Sequence, residues 1–317
     1  MESSGEASSG GATSGHVTSG HVTSGEGATR TVRRIGRREF DFARQVAVMA
    51  IVNRTPDSFH DRGRTFAFDA AVEAVRAAVR DGADWVDIGG VPFGLHAGEV
   101  TEDEEYERVV PLIAAVRADS DVVISVDTYR ATVAREALAA GADVINDTSG
   151  LYDPGLADLV ARTGATLVIT HSLASPPRTP VIRPTYKDVV AEVRAFLADR
   201  VALALSRGVA PEQIIIDPGH DLNKNTYHSL ELTRRLDEIA SLGYPLLAAV
   251  SHKDFIGETL GAPQDQRAEG TLAALTICIL KGARIVRVHD VAPTVRAVRM
   301  TEAILGWRQP VYTRHNM

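Results

Sequence analysis

The sequence predicts an α/β fold of the (β/α)8 TIM barrel type, and three observations predict it. Eight short runs of β-branched and apolar residues recur along the chain from residue 46. Ala-, Leu-, Arg- and Glu-rich stretches of helical length separate them. Six of those stretches run out into a glycine just before the next apolar run: Gly82, Gly141, Gly164, Gly208, Gly243 and Gly282. Glycine is favoured after a helix because that position often needs a positive φ.

The runs are "VAVMAIVN", "DWVDIGG", "VVISVDT", "DVINDTSG", "TLVITHS", "QIIIDPG", "PLLAAVSHK" and "RIVRVHD". Their unbroken apolar character is that of parallel strands buried on both faces. Helices are expected over 67–81, 102–118, 129–140, 154–163, 186–207, 226–241, 267–281 and 291–305. Eight strands, each followed by a helix, are the pattern of the barrel. A doubly wound open sheet would carry fewer strands and a glycine-rich phosphate loop after the first, and "NRTPDSF" at 53–59 contains no G-x-G-x-x-G.

Composition bounds the rest. The hydrophobic fraction of 44% and charged fraction of 24% are those of a soluble globular protein. No apolar run reaches the roughly 20 residues needed to span a bilayer. The first residues lack the basic start and apolar stretch of a secretory signal. A lone cysteine, Cys278, lies inside "ALTICIL", which argues against disulfides and fits a cytoplasmic location. The net charge of −7 gives no reason to expect nucleic acid or a membrane surface as partner. Residues 1–40 read as a disordered Gly/Ser/Thr-rich tail followed by a basic, solvated linker, "RTVRRIGRREF". The tail repeats "GHVTS" twice; its two histidines, His16 and His21, are read as repeat slippage rather than a metal site. Residues 41–310 read as the barrel and 311–317 as a C-terminal tail.

In such barrels the active site lies at the C-terminal ends of the strands. Here those ends are Asn53, Asp87, Asp127, Asn146, His171, Asp217, Lys253, and Arg287 with His289. An acid at the rim of an apolar barrel is costly unless a ligand or cation satisfies it. Asp127, Asn146, Asp217 and Lys253 combine acceptors, an amide and a cation, a set suited to a flat heterocycle with an amidine-like edge, such as a pterin or guanine. Asn53, Arg287 and His289 come from the first and last strands and form an anion site. The Asn53 carboxamide also suits Mg²⁺, a hard ion that prefers oxygen. A metal reading of "DPGHD" through Asp217, His220 and Asp221 finds no second histidine cluster to support it.

Eight motifs in order, "NRTPDSF", "DIGG", "SVDTYR", "INDTSG", "IDPG", "SHKDFIG", "RAEGTLAA" and "RVHDV", resemble the dihydropteroate synthase family from about residue 46 to 305. The resemblance implies a reaction of folate biosynthesis. A dihydropterin pyrophosphate loses pyrophosphate while the amine of p-aminobenzoate attacks the exposed methylene carbon. It implies pterin binding by Asp127, Asn146, Asp217 and Lys253, pyrophosphate binding by Asn53, Arg287 and His289, and Mg²⁺ on Asn53. Lys253, Asp217 and Asp57 are the catalytic candidates. The loop at 55–58 would close over the site, excluding water from a reactive methylene. A homodimer built on the outer helices is also implied, and the apolar stretch at 272–280 either serves that interface or packs on the barrel.

The sequence departs from the family on one side of the site. The family continues "DIGG" with Glu-Ser-Thr-Arg-Pro-Gly, where this chain has "VPFGLHAGE" with no Arg or Lys between 91 and 99. "DPGHDLNK" puts Asp221 and Leu222 where Gly and Phe are expected, and Asp221 is read as a charge repelling p-aminobenzoate. His252 stands in the place of an Arg, and Arg54 in place of a small apolar residue. Each lost charge-assisted hydrogen bond removes roughly ten- to a hundredfold in affinity or rate. Two readings follow, a synthase and a catalytically silent paralogue that binds pterin pyrophosphate. A pterin-dependent methyltransferase leaves the anion site without a pyrophosphate to hold.

Overall fold

A computed structural model describes residues 1, 31–53, 63–92, 100–179 and 183–316. The expected tail, the first-strand loop and most of the second-strand loop lie outside them, and with those Asp57 and Arg54.

Eight parallel strands close into a barrel in chain order, the last pairing with the first. They are β3 (Ala47–Asn53), β4 (Trp85–Gly89), β5 (Val123–Asp127), β6 (Val144–Asp147), β7 (Thr166–Thr170), β8 (Ile214–Asp217), β9 (Leu246–Ala248) and β10 (Ala283–Val288). Each coincides with one of the apolar runs. Pairing of β10 with β3, Val288 opposite Ala50, joins the last strand to the first.

Helices α1 (Gly63–Arg80), α2 (Glu102–Asp119), α3 (Ala131–Ala139), α4 (Gly155–Thr163) and α5 (Val189–Ser206) follow the first five strands. The stretch expected as one helix over 226–241 divides at Arg235 into α6 (Thr226–Arg234) and α7 (Leu236–Ala240). A short α8 (Asp254–Leu260), not anticipated, precedes α9 (Ala268–Leu280) and α10 (Val291–Ile304). All six helix-ending glycines adopt positive φ.

Period-2 alternation sorts each strand into two faces. Outward residues such as Val48, Val86, Ile124, Ile145, Ile169 and Ile216 pack against the helices. Inward residues Ala47, Met49, Trp85, Val123, Val144, Val168, Ile215, Leu247 and Ile285 form a separate cluster inside the ring.

That inner cluster is completed by a segment expected as a solvated linker, which corrects that expectation. Strands β1 (Val32–Ile35) and β2 (Arg38–Asp41) pair antiparallel around Gly36 as a hairpin. Ile35 and Phe40 are fully buried with the inner cluster, and the Phe40 ring stands edge-on to Trp85 at 5.6 Å. Arg33 donates to the carbonyls of Glu212 and Ile214, at 3.0 and 2.6 Å, which lead into β8. The hairpin plugs the end of the barrel at which the strands begin, so the open mouth lies at the strands' C-terminal ends. Among the described residues no helix is long and apolar enough to cross a membrane.

Candidate functional site

Alternation that turns Trp85, Val123, Val144, Ile215 and Ile285 inward turns the residues two positions later inward as well. Those are Asp87, Ser125, Asn146, Asp217 and Arg287, one layer nearer the mouth. Asp127 lies one layer higher again. Register places Asp87 opposite Ser125 and Asp127 opposite Asn146 on adjacent strands.

Asp87 is the hub. Its carboxylate accepts from Ser125 Oγ at 2.6 Å, Asn146 Nδ2 at 3.0 Å and Arg287 Nε at 2.6 Å, and it is wholly buried. Arg287 also places Nη2 3.5 Å from Asp127 Oδ2. The guanidinium expected at the anion site is thus committed to Asp87, 200 residues away along the chain, and to Asp127. Asn146, its Nδ2 spent on Asp87, leaves Oδ1 buried with no hydrogen-bond partner. A buried acceptor left unpaired costs about 1–3 kcal/mol, a cost that a ligand donor removes.

Asp217 is nearly as enclosed but poorly satisfied. Its Oδ1 accepts the Gly219 amide at 2.7 Å. Gly219 makes that approach possible with φ of 67°, and a Cβ there would lie 2.4 Å from the His171 carbonyl oxygen. Burial raises the Asp217 carboxyl to about 6, against the pull of the Gly219 amide and of Lys253, Lys224 and Arg287. Lys253 lies at the N-terminus of α8, its ammonium disfavoured by burial while Asp221 and Asp217 favour it. Burial likewise raises Asp127, opposed first by Arg178 and then by Arg287.

Asn53 ends β3 and His289 follows β10, the neighbouring strand. Gly89, opposite Asn53 in register, leaves open the space between them, since a Cβ there would sit 3.4 Å from Asn53 Oδ1 and 3.5 Å from Asp127 Cβ. His289 Nδ1 pairs with Ser251 Oγ at 3.0 Å, and burial with the nearby Arg287 lowers its imidazole to about 4. His252, in the place of the family's Arg, is tied to Asp290 at 2.7 Å and to the Gln264 carbonyl at 2.9 Å.

One sequence reading changes here. Asp221 does not stand free to repel an anion: its carboxylate accepts from Ser229 Oγ at 2.7 Å and from the Phe255 amide at 3.2 Å, holding the start of α8. His220 packs against the Phe255 ring and pairs with Thr233 Oγ1. Among the described residues no group of three His, Cys, Asp or Glu side chains is placed to hold a metal. Asn53 therefore offers Mg²⁺ one carboxamide oxygen. That fits this ion only where phosphate oxygens and water supply the rest of its shell. His171 turns away from the mouth, its ring 4.7 Å from Phe196 and its Nδ1 2.9 Å from Lys224 Nζ.

Sequence reading gave no role to Asp87, Ser125 or Arg178. Asp87 and Ser125 were within reach, being two residues beyond an inward apolar one. Arg178 had no signal, because it reaches the site from the loop after β7. Its Nη2 lies 2.5 Å from Asp127 Oδ1, its Nη1 donates to the Val91 carbonyl, and its guanidinium lies 5.8 Å from the centre of the Tyr129 ring.

The structure is a (β/α)8 barrel whose mouth gathers acids, an amide and cations. Residues 49–289 match the family described as pterin binding enzyme, and the chain belongs to it. Inactive dihydropteroate synthase 2 of Mycobacterium tuberculosis is 48% identical over 272 residues, 84% of this chain and 85% of that protein. Dihydropteroate synthase of Haemophilus influenzae is 41% identical over 81% of this chain and 93% of its own. The Xanthomonas albilineans dihydropteroate synthase solved with 4-aminobenzoic acid superposes with a TM-score of 0.81 at 38% identity, covering 87% and 99% of the two chains.

Proposed function

We propose that this chain is a paralogue of dihydropteroate synthase that binds a dihydropterin pyrophosphate at the barrel mouth without joining it to p-aminobenzoate. The observation that carries the binding half is the buried Asn146 Oδ1 with no partner, together with an under-satisfied Asp217 in the same inward layer. Both are acceptors waiting for N–H donors, and a pterin edge supplies them. Asp127, Asn146, Asp217 and Lys253 hold the heterocycle in this reading. Asn53 and His289 hold the pyrophosphate, and Arg287 joins the two halves through its proximity to Asp127. Mg²⁺ on Asn53 would neutralise part of the diphosphate charge.

The silent half of the reading rests on the second-strand loop. A synthase must orient an anionic amine donor and stabilise the departing pyrophosphate, and residues 91–99 contain no Arg or Lys to do so. The name carried by the 48%-identical mycobacterial relative agrees. A homodimer belongs to the same reading, and α9 and α10 support it. Leu275 and Cys278 of α9 are buried, while Ile277 and Leu280 of α9, with Met300 and Ile304 of α10, remain exposed. Sedimentation at micromolar concentration measures that mass. The net charge and the lone buried cysteine support a cytoplasmic small-molecule binder.

The test mixes the full chain with dihydropterin pyrophosphate, Mg²⁺ and p-aminobenzoate, following pyrophosphate release alongside binding by calorimetry. Binding without turnover is expected. Turnover at ordinary enzyme rates would return the chain to the synthases, with Lys253, Asp217 and Asp57 as its catalytic groups.

A further inference from the structure

The pocket just described already contains a planar group with paired N–H donors, and it belongs to the protein. Arg178 comes from the loop after β7, 51 residues beyond Asp127. Its side chain is 6% exposed, and its Nη2 lies 2.5 Å from Asp127 Oδ1 and 3.4 Å from Thr148 Oγ1. The other carboxylate oxygen, Oδ2, faces Arg287 at 3.5 Å. Both oxygens of Asp127 are therefore engaged, and two acids, Asp87 and Asp127, stand against two guanidiniums.

A guanidinium presents the same planar N–H pattern as the amino-amidine edge of a pterin, so the two compete for one acceptor. The arrangement also holds the backbone of Arg178 at φ of 61°, a left-handed conformation unfavourable for a residue with a Cβ. Arg178 also donates to the carbonyl of Val91, the first residue after "DIGG", where the divergent second-strand loop begins.

We propose that Arg178 is the pocket's own occupant and sets its affinity: the heterocycle takes Asp127 only as the Arg178 guanidinium withdraws. The inference rests on the pterin reading above. Withdrawal removes the bond to Val91 as well, so occupancy of the heterocycle subsite is coupled to the base of the second-strand loop. Apparent affinity is the intrinsic affinity multiplied by the fraction of molecules with Arg178 withdrawn.

The probe is 6-hydroxymethylpterin, titrated by calorimetry and mixed in stopped flow with the full chain, Arg178→Met, Arg178→Lys and Asp217→Ala. Arg178→Met should tighten binding at least tenfold, about the value of one charge-assisted hydrogen bond. Arg178→Lys keeps the charge, loses the planar fork and should fall between the two. In the unaltered chain the association rate should level off with pterin concentration at the rate of Arg178 withdrawal. In Arg178→Met it should stay linear over the same range. Equal or weaker binding by both Arg178 variants, with Asp217→Ala still abolishing it, overturns the inference and leaves the pterin pocket standing. Binding by none of the four proteins overturns the pocket and the inference together. Circular dichroism establishes that each variant is folded, and the Lys variant carries the test should Met fail to fold.

Discussion

Asp87→Ala is the sharpest test of the mouth's architecture. The substitution removes a wholly buried carboxylate that accepts three hydrogen bonds, from Ser125, Asn146 and Arg287. Breaking a buried ion pair by deleting one partner costs roughly 3–5 kcal/mol, because the surviving charge is left uncompensated. Arg287 keeps Asp127 at 3.5 Å as a second carboxylate, which places the ion-pair loss at the lower end. The Ser125 hydroxyl and the Asn146 amide each lose a charge-assisted partner, and one unsatisfied buried donor costs about 1–3 kcal/mol. A total loss of about 5–9 kcal/mol follows, measured as the shift in urea midpoint at pH 7 with the m-value held constant. Asn146 also loses its orientation, so pterin affinity should fall ten- to a hundredfold. Asp87→Asn, which keeps the shape but not the charge, should lose less than half as much stability. A stability loss below about 1 kcal/mol for Asp87→Ala would refute the hub role, since three donors cannot be orphaned in a dry barrel so cheaply.

Three further outcomes follow from the same geometry. Asp217→Asn should stabilise the fold at pH 7 by up to about 3 kcal/mol while abolishing pterin binding. The Asp217 carboxyl is raised in the fold from 3.8 to about 6, roughly two units at about 1.4 kcal/mol each. A raised acid favours the protonated fold, so that stability is complete below pH 4 and is lost as pH rises towards 6; the Asn variant should lack this slope in pH-dependent unfolding. Pterin affinity of the unaltered chain should run the other way, falling as pH drops below about 6 and Asp217 gains a proton; calorimetry between pH 5 and 8 measures it. Phe40→Ala should cost about 3–5 kcal/mol through the cavity left beside Trp85 and Phe42. Its pterin affinity should be unchanged, because the hairpin plugs the opposite end of the barrel from the site.

The barrel was legible because parallel strands buried on both faces cannot hide: their apolar runs, the helices between them and the closing glycines are all local in sequence. The rim acids and amides were legible for the same reason, since each directly continues an apolar run. What escaped depends on contacts distant along the chain. Val32 to Asp41 reads as a charged linker because Arg33, Arg34, Arg37 and Arg38 outnumber Ile35 and Phe40. Only the barrel floor supplies an apolar socket for those two side chains. Asp221 looks like an exposed anion until Ser229 and the Phe255 amide are brought to it. The Arg178–Asp127 pair joins a loop to a strand end, and no periodicity encodes it.

Asp87 and Asp217 place the same chemical group in the same ring and give it opposite duties. Asp87 receives three hydrogen bonds, a guanidinium among the donors, and is therefore satisfied before any ligand arrives. Asp217 receives one backbone amide, with Lys253 and Lys224 felt only at a distance, and its raised carboxyl records the shortfall. Stability withheld at Asp217 is available to whatever completes its hydrogen bonds, up to the roughly 3 kcal/mol that burial removes. Replacing Asp87 therefore damages the protein, whereas replacing Asp217 relieves it and damages only the ligand's hold. A barrel mouth serving fold stability alone would have both acids paired like Asp87. That one is left short of donors, with an unpartnered Asn146 acceptor in the same inward layer, supports the proposal that a donor-edged heterocycle binds at the mouth.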